Sequence, residues 1–151
     1  MSLITPEIKA SIGNSLPPAK EEVTRREIRK YAVATGQRMR KYLDGDEAPP
    51  LFLFGLFREI MEAGELQPDG RPPDSRLLPE LPLKRAMAGG TKATYHRKIY
   101  PGDVLVATQT LVDIFEKEGS QGPLIFTVVE IKVETESGEP VMTERVTSIR
   151  R

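Results

Sequence analysis

The residues with chemical potential gather in one stretch: Gly89-Gly90-Thr91-Lys92-Ala93-Thr94-Tyr95-His96-Arg97-Lys98-Ile99-Tyr100-Pro101-Gly102-Asp103. It holds the only histidine, His96, so a mechanism needing two histidines from one chain is excluded, and one needing a single histidine must use it. Three roles are open to His96: a packed or hydrogen-bonded strand residue, a ligand or interface contact, and a general base. Asp103 follows Pro101-Gly102, where an aspartate most simply satisfies backbone N–H groups of its own turn. The chain has no cysteine, which removes thiolate nucleophiles, disulfides and cysteine-ligated metal. No metal or cofactor is expected.

Charge is distributed unevenly. Residues 20–41 carry eight Lys/Arg against three acids, and residues 42–80 carry three Arg against nine acids. The simple reading is two solvated faces of opposite sign. The alternative is that Arg25, Arg26, Arg29, Arg38, Arg40 and Lys41 meet an anionic ligand or an acidic partner. The net charge of the whole chain is zero, so its overall balance gives no case for nucleic acid or a membrane surface. No apolar run approaches the ~18 residues of a membrane span. The opening residues MSLITPEIKASIGN lack a basic segment followed by an apolar one, so no signal peptide and a cytoplasmic location are expected.

The elements that must position these residues are legible in the pattern. At 151 residues the chain is long enough for one domain with a real core. Residues 1–20 end in Leu16-Pro17-Pro18-Ala19 and read as an extended approach segment preceding a domain over 21–151. Thr24 and Glu27 form a capping box, and Ile28, Tyr31, Ala32 and Thr35 make one packable stripe, so a helix is predicted over 25–35 with Gly36 as its stop. Pro49-Pro50 leads the most apolar run, Leu51-Phe52-Leu53-Phe54-Gly55-Leu56-Phe57. With Ile60, Met61 and Gly64 continuing the spacing, this predicts a buried helix over about 50–63, wrapped on most sides. Gly55 in that helix permits close approach of a backbone or a ligand.

Residues 65–91 are rich in proline and read as a long loop: a lid, an interface arm, or a segment ordered by a partner. Strands are predicted over 92–100, 104–115, 124–135 and 140–149. A mobile loop is expected at 116–122 and a hairpin at Glu136-Ser137-Gly138-Glu139. Four antiparallel strands and one apolar helix give an α+β fold in which a curved sheet wraps a central helix.

In this order, three segments carry a family resemblance: Glu22-Val23-Thr24-Arg25-Arg26-Glu27-Ile28 with Tyr31-Ala32 and Thr35-Gly36, then Ala48-Pro49-Pro50-Leu51-Phe52, then Tyr95-His96-Arg97-Lys98-Ile99-Tyr100-Pro101-Gly102-Asp103. Over about residues 20–150 the chain resembles the N-terminal, fatty-acid-synthase-type dehydratase half of MaoC-like (R)-specific enoyl-thioester hydratases. The resemblance implies a single hot-dog fold and a place in fatty-acid metabolism. It also implies action on acyl thioesters of coenzyme A or acyl carrier protein. That chemistry needs a base to place a water, an acid to protonate the α-carbon, and backbone N–H groups at the start of the central helix to polarise the thioester carbonyl.

Catalytic members carry an Asp and a His five residues apart in a Gly-Asp-x-Asn-Pro-x-His pattern just before the helix. Here that approach reads Asp44-Gly45-Asp46-Glu47-Ala48-Pro49-Pro50. Five residues after Asp44 stands Pro49, and five after Asp46 stands Leu51. The paired prolines remove two backbone donors, leaving the amides of Leu51 and Phe52 for any oxyanion hole.

The resemblance favours a structural His96 and no catalytic residue in this chain. It assigns substrate contact to Leu51, Phe52, Phe54, Gly55 and Arg97, with residues 51–57 serving as core and as the lining of an acyl tunnel. It implies a dimer, either a homodimer or a heterodimer with a catalytic hot-dog subunit. Two other functions stand beside the hydratase subunit. One is a non-catalytic acyl-CoA-binding homodimer. The other is a hot-dog acyl-CoA thioesterase using an acid near the helix, such as Glu59 or Glu62.

Overall fold

The computed structural model describes residues 2–73 and 75–151. Thr5 caps a short first helix, α1 (Pro6–Ala10). Strand β1 (Ala19–Glu22) leads to α2 (Arg25–Ala34), where both halves of the Thr24/Glu27 capping box are formed. Then come α3 (Arg40–Leu43), α4 (Phe52–Leu56) and a 3₁₀ turn at Ala63–Glu65. Strands β2 (Ala86–Tyr95), β3 (Val104–Gly119), β4 (Gly122–Thr135) and β5 (Pro140–Arg150) complete the chain. All pairings are antiparallel, in the order β1-β3-β4-β5-β2.

Several expectations are corrected. The sheet has five strands because Ala19–Glu22, predicted only as extended, pairs with the start of β3, Ala19 facing Ala107 and Glu22 facing Val104. Strand β2 begins inside the predicted loop and ends at Tyr95, not Tyr100. Met87 and Ala88 already face Ile149 and Ser148, and the register then slips at Gly89. A Cβ there would stand 2.9 Å from the Thr147 carbonyl oxygen, so glycine is what lets the strands close around that bulge.

The segment 116–122 is paired almost throughout, with Glu116 facing Ile125 and Lys117 facing Leu124. Stacked Phe115 and Phe126 rings, 5.0 Å apart, hold the two strands together, and the Lys117 ammonium lies 5.4 and 5.3 Å from their centroids.

The largest correction concerns the central helix, which is five residues long instead of spanning about 50–63. Leu51 takes a left-handed backbone, φ +65°, so the helix starts only at Phe52. Beyond Phe57 the apolar spacing finds nothing to cover it, and Ile60 is 98% exposed. Only one side of α4 is buried. Phe52 and Leu53 enter the core while Leu51 and Phe54 face outward.

Two apolar clusters result. The first joins Phe52 and Leu53 to Val23 and Ile28 and to the sheet residues Leu105, Ala107, Val133 and Val141. The second brings together Ile4 and Ile8 from the N-terminal segment, Leu77 and Leu81 from the proline-rich stretch, and Leu111, Ile114 and Ile125 from β3 and β4. The proline-rich stretch is therefore anchored through two leucines.

Glu116 tethers the N-terminal segment by accepting the Leu3 N–H at 2.7 Å and a hydrogen bond from the Ser2 hydroxyl. The Ser2 hydroxyl, then the Leu3 amide, hold its carboxyl below the usual value of 4.5. A folded-state pKa below the unfolded one means the tether contributes fully above the unfolded value and is lost as pH falls through the folded one. Protection of the Leu3 and Ile4 amides against exchange, taken relative to the intrinsic rate at each pH, should fall on acidification through that range, and Glu116→Gln should flatten the response.

Candidate functional site

The approach to α4 is built by local contacts. Ala48 N–H donates to the Ile99 carbonyl at 2.9 Å, which fixes the chain against the strand connection carrying Arg97. Pro49 is fully buried. Leu51, turned left-handed, donates its N–H to the Tyr95 hydroxyl at 3.0 Å. The end of β2 thus caps the start of α4, and the Leu51 amide, one of the two left for an oxyanion hole, is occupied by a side chain of the same protein.

The acids of this region are all held by cations. Asp44 pairs with Arg40, and Asp46 with Arg25. Glu47, nearly buried, takes Lys41 at 2.9 Å and Lys98 at 3.5 Å. The hydrogen bond to Glu47 raises the Lys41 pKa above its ordinary value. Asp103 accepts Tyr100 N–H at 2.8 Å, the expected turn contact, and both its oxygens lie 3.1–3.2 Å from one Arg97 nitrogen. A second Arg97 nitrogen reaches Glu139 at 3.7 Å.

His96 stands just past β2, with its backbone N–H on the Val141 carbonyl. Its exposed ring has Nε2 3.1 Å from the Thr143 hydroxyl, and no carboxylate bonds to it among the described residues. A histidine without an orienting acid, bonded across the sheet to threonine, has the environment of a surface strand residue and not that of a poised base.

Two cavities flank α4. One of 130 Å³ lies at its start, lined by Tyr42, Glu47, Pro49, Pro50, Tyr95 and Arg97 among others. Every acid on its wall already has a counter-charge. The other, of 310 Å³, is a slot between α2 and α4 walled by Tyr31, Ala34, Phe52, Gly55 and Leu56, with Glu27 and Lys30 at its rim. Tyr31 and Phe52 meet edge to face there at 5.7 Å and 88°. Burial, and then the neighbouring Tyr95, push the Tyr31 phenol up, so it stays protonated. A Cβ on Gly55 would come no nearer than 4.0 Å to the Tyr31 ring, so the glycine widens an open slot and is not demanded by packing.

The five residues assigned to substrate contact are divided between these places. Arg97 lines the smaller cavity, and Leu51 touches it through Tyr95. Phe52 and Gly55 line the slot. Phe54, 69% exposed, lies on the uncovered side of α4. Glu59 and Glu62 lie past the end of α4 and are exposed. Tyr95 and Tyr31 are residues of the candidate site that sequence reasoning did not single out. The signal for Tyr31 was its place on the apolar stripe of α2, and nothing local linked Tyr95 to Leu51. No group of three or more metal-ligating side chains occurs among the described residues, and no helix among them is long and apolar enough to cross a membrane.

Comparison with known proteins agrees with this geometry. Residues 10–144 match the FAS1-like dehydratase domain region. A UPF0336 protein of Streptomyces coelicolor is 31% identical over 147 residues, covering 87% of each chain. Among solved structures, a chain of the ChsH1-ChsH2 complex from Mycobacterium tuberculosis superposes with a TM-score of 0.69 at 21% identity, over 95% of this chain and 86% of that one. The MaoC-like dehydratase from Rhodospirillum rubrum gives 0.56 at 17% identity, over 93% of each. With a matching region over most of its length and a five-stranded antiparallel sheet packed on a short apolar helix, the chain belongs to the FAS1-like dehydratase-region family and has the hot-dog fold of MaoC-like dehydratases.

Proposed function

We propose that this chain is a substrate-shaping, cytoplasmic subunit of an (R)-specific enoyl-thioester hydratase, or 3-hydroxyacyl-thioester dehydratase, of fatty-acid metabolism, whose catalytic Asp and His come from a partner chain. The observation that carries this reading is the approach to α4. Five residues after Asp44 and after Asp46, where the dyad's His would stand, are Pro49 and Leu51; the nearby acids are neutralised by Arg and Lys, and the Leu51 amide is bonded to Tyr95. Among the described residues at the approach to α4, no histidine and no carboxylate free of a cation stands ready for water placement or α-carbon protonation, and the slot beside α4 has an apolar wall suited to an acyl chain.

Two surfaces support a partner of the same fold. β2 stands at the sheet edge, exposed at every position but Ala93, and an unpaired edge invites another strand. Leu51 and Phe54 on the open side of α4 give that partner an apolar seat. The ChsH1-ChsH2 structure, itself a complex of two chains, is consistent with a heteromer.

The test is crotonyl-CoA hydration, followed by loss of enoyl absorbance, with the purified chain, with a hot-dog protein carrying the Asp-x-Asn-Pro-x-His pattern, and with both. Activity is expected only where the dyad-bearing chain is present, with a broader acyl range when this chain joins it. Strong hydration by this chain alone would overturn the reading. A second function, a non-catalytic acyl-CoA-binding homodimer, is favoured by the slot lying wholly within one chain. Acyl-CoA binding by the pure dimer, with no effect on any catalytic partner, would select it.

A further inference from the structure

Four cations of residues 20–41 have no ion-pair partner among the described residues: Arg38, and a group of three on α2. Arg25, Arg40 and Lys41 are paired with Asp46, Asp44 and Glu47, whereas Arg26, Arg29 and Lys30 have no ion-pair partner among the described residues. These three stand at i, i+3 and i+4 on α2, so they share one face. With Val33, Ala34 and Leu43 they line a cleft of 510 Å³. Lys30 and Ala34 also belong to the slot between α2 and α4, so the two spaces share a wall. Glu27, the one acid on this path, has its carboxylate committed to the N–H and hydroxyl of Thr24. Val33, 69% exposed, gives the wall of the basic cleft an apolar surface next to Ala34.

A concentration of unpaired positive charge beside an apolar slot fits a ligand with several adjacent anionic groups at one end and an apolar tail at the other. We propose that this groove along α2 binds a coenzyme A thioester. Its phosphates lie on Arg26, Arg29 and Lys30, and its arm passes over Val33 and Ala34. Its acyl end lies in the slot against Tyr31, Phe52, Gly55 and Leu56. Arginine's planar fork suits phosphate oxygens, and clustered charges answer a diphosphate better than a single carboxylate. This rests on the thioester-binding reading above and goes beyond it by choosing coenzyme A and locating its phosphates on this chain.

The experiment is calorimetric titration of the protein, at fixed ionic strength, with octanoyl-CoA and with octanoyl-N-acetylcysteamine, which carries the thioester without phosphates. Arg26→Gln/Arg29→Gln/Lys30→Gln should weaken octanoyl-CoA binding about tenfold or more, as expected for losing charge-assisted phosphate contacts, and leave the phosphate-free thioester unaffected. Arg38→Gln, an exposed cation outside both clefts, should change neither. Gly55→Leu should abolish the preference for octanoyl-CoA over acetyl-CoA by filling the slot.

A triple variant that binds octanoyl-CoA as tightly as the wild type would overturn the phosphate site. Equal losses with Arg38→Gln would overturn it too, by reducing the effect to general charge. If the wild type binds both thioesters but the variants bind them unchanged, the groove fails and the hydratase-subunit reading stands. If the wild type binds neither thioester, both fail.

Discussion

Phe52→Ala should destabilise the protein by about 3–5 kcal/mol, the range for deleting a buried aromatic side chain that leaves a cavity. Phe52 is 3% exposed and meets Tyr31 edge to face. It packs in the same cluster as Ile28 of α2, Leu105 of β3 and Val141 of β5. α4 has only five residues and no side-chain cap, so it cannot persist on helix propensity alone. Phe52 and Leu53 are its two buried side chains, with Leu56 partly buried against the same cluster. Urea denaturation followed by far-ultraviolet circular dichroism measures the loss.

The contrast is Phe54→Ala on the outward side of the same helix. It should shift single-chain stability by no more than about 0.5 kcal/mol, as surface changes do, while weakening association with a partner chain. Equal destabilisation by the two substitutions would mean that α4 is buried on both sides, contrary to the fold described.

Arg97→Ala should cost about 2–3 kcal/mol, less than the 3–5 of a fully buried pair because both partners keep some solvent contact. The side chains of Arg97 and Asp103 are 22% and 18% exposed, and Asp103 also accepts the Tyr100 amide. Removing the guanidinium leaves a poorly solvated carboxylate at the turn that directs β3. A double-mutant cycle with Asp103→Asn should return a coupling on the order of 1 kcal/mol. The same variant decides what Arg97 does in the cavity before α4. A brace loses stability and leaves thioester affinity in the folded fraction unchanged. A ligand contact loses affinity with little change in the urea midpoint.

What was legible in the chain followed from short-range chemistry. The Thr24/Glu27 capping box and the stripe of α2 are local, and α2 runs as predicted, from Arg25 to Ala34 with Thr35 as its C-cap. Alternation in β4 and β5 is a property of consecutive residues, and both strands lie within two residues of their predicted bounds. Missing residue types are equally local. The sequence alone excludes a mechanism needing two histidines from one chain and any cysteine thiol chemistry, and it has Pro49 five residues after Asp44 and Leu51 five after Asp46.

Tertiary structure decided the rest, because each remaining feature depends on residues distant in the chain. α4 is short because Leu51 turns left-handed while donating to Tyr95, forty-four positions away, and because no described segment covers Ile60. β1 exists only through the ladder to residues 104–107. Leu77 and Leu81 in the proline-rich stretch read as loop until Ile4, Ile8 and Leu111 give them something to bury against. The six cations Arg25, Arg26, Arg29, Arg38, Arg40 and Lys41 looked alike until Asp46, Asp44 and Glu47 were seen to take Arg25, Arg40 and Lys41, leaving Arg26 and Arg29, with Lys30 beside them, around a groove. Periodicity and capping act over a few bonds, so a sequence displays them directly. Which side of a helix is covered, and which charge is left without a partner, are set by packing between remote segments, and only the fold determines them.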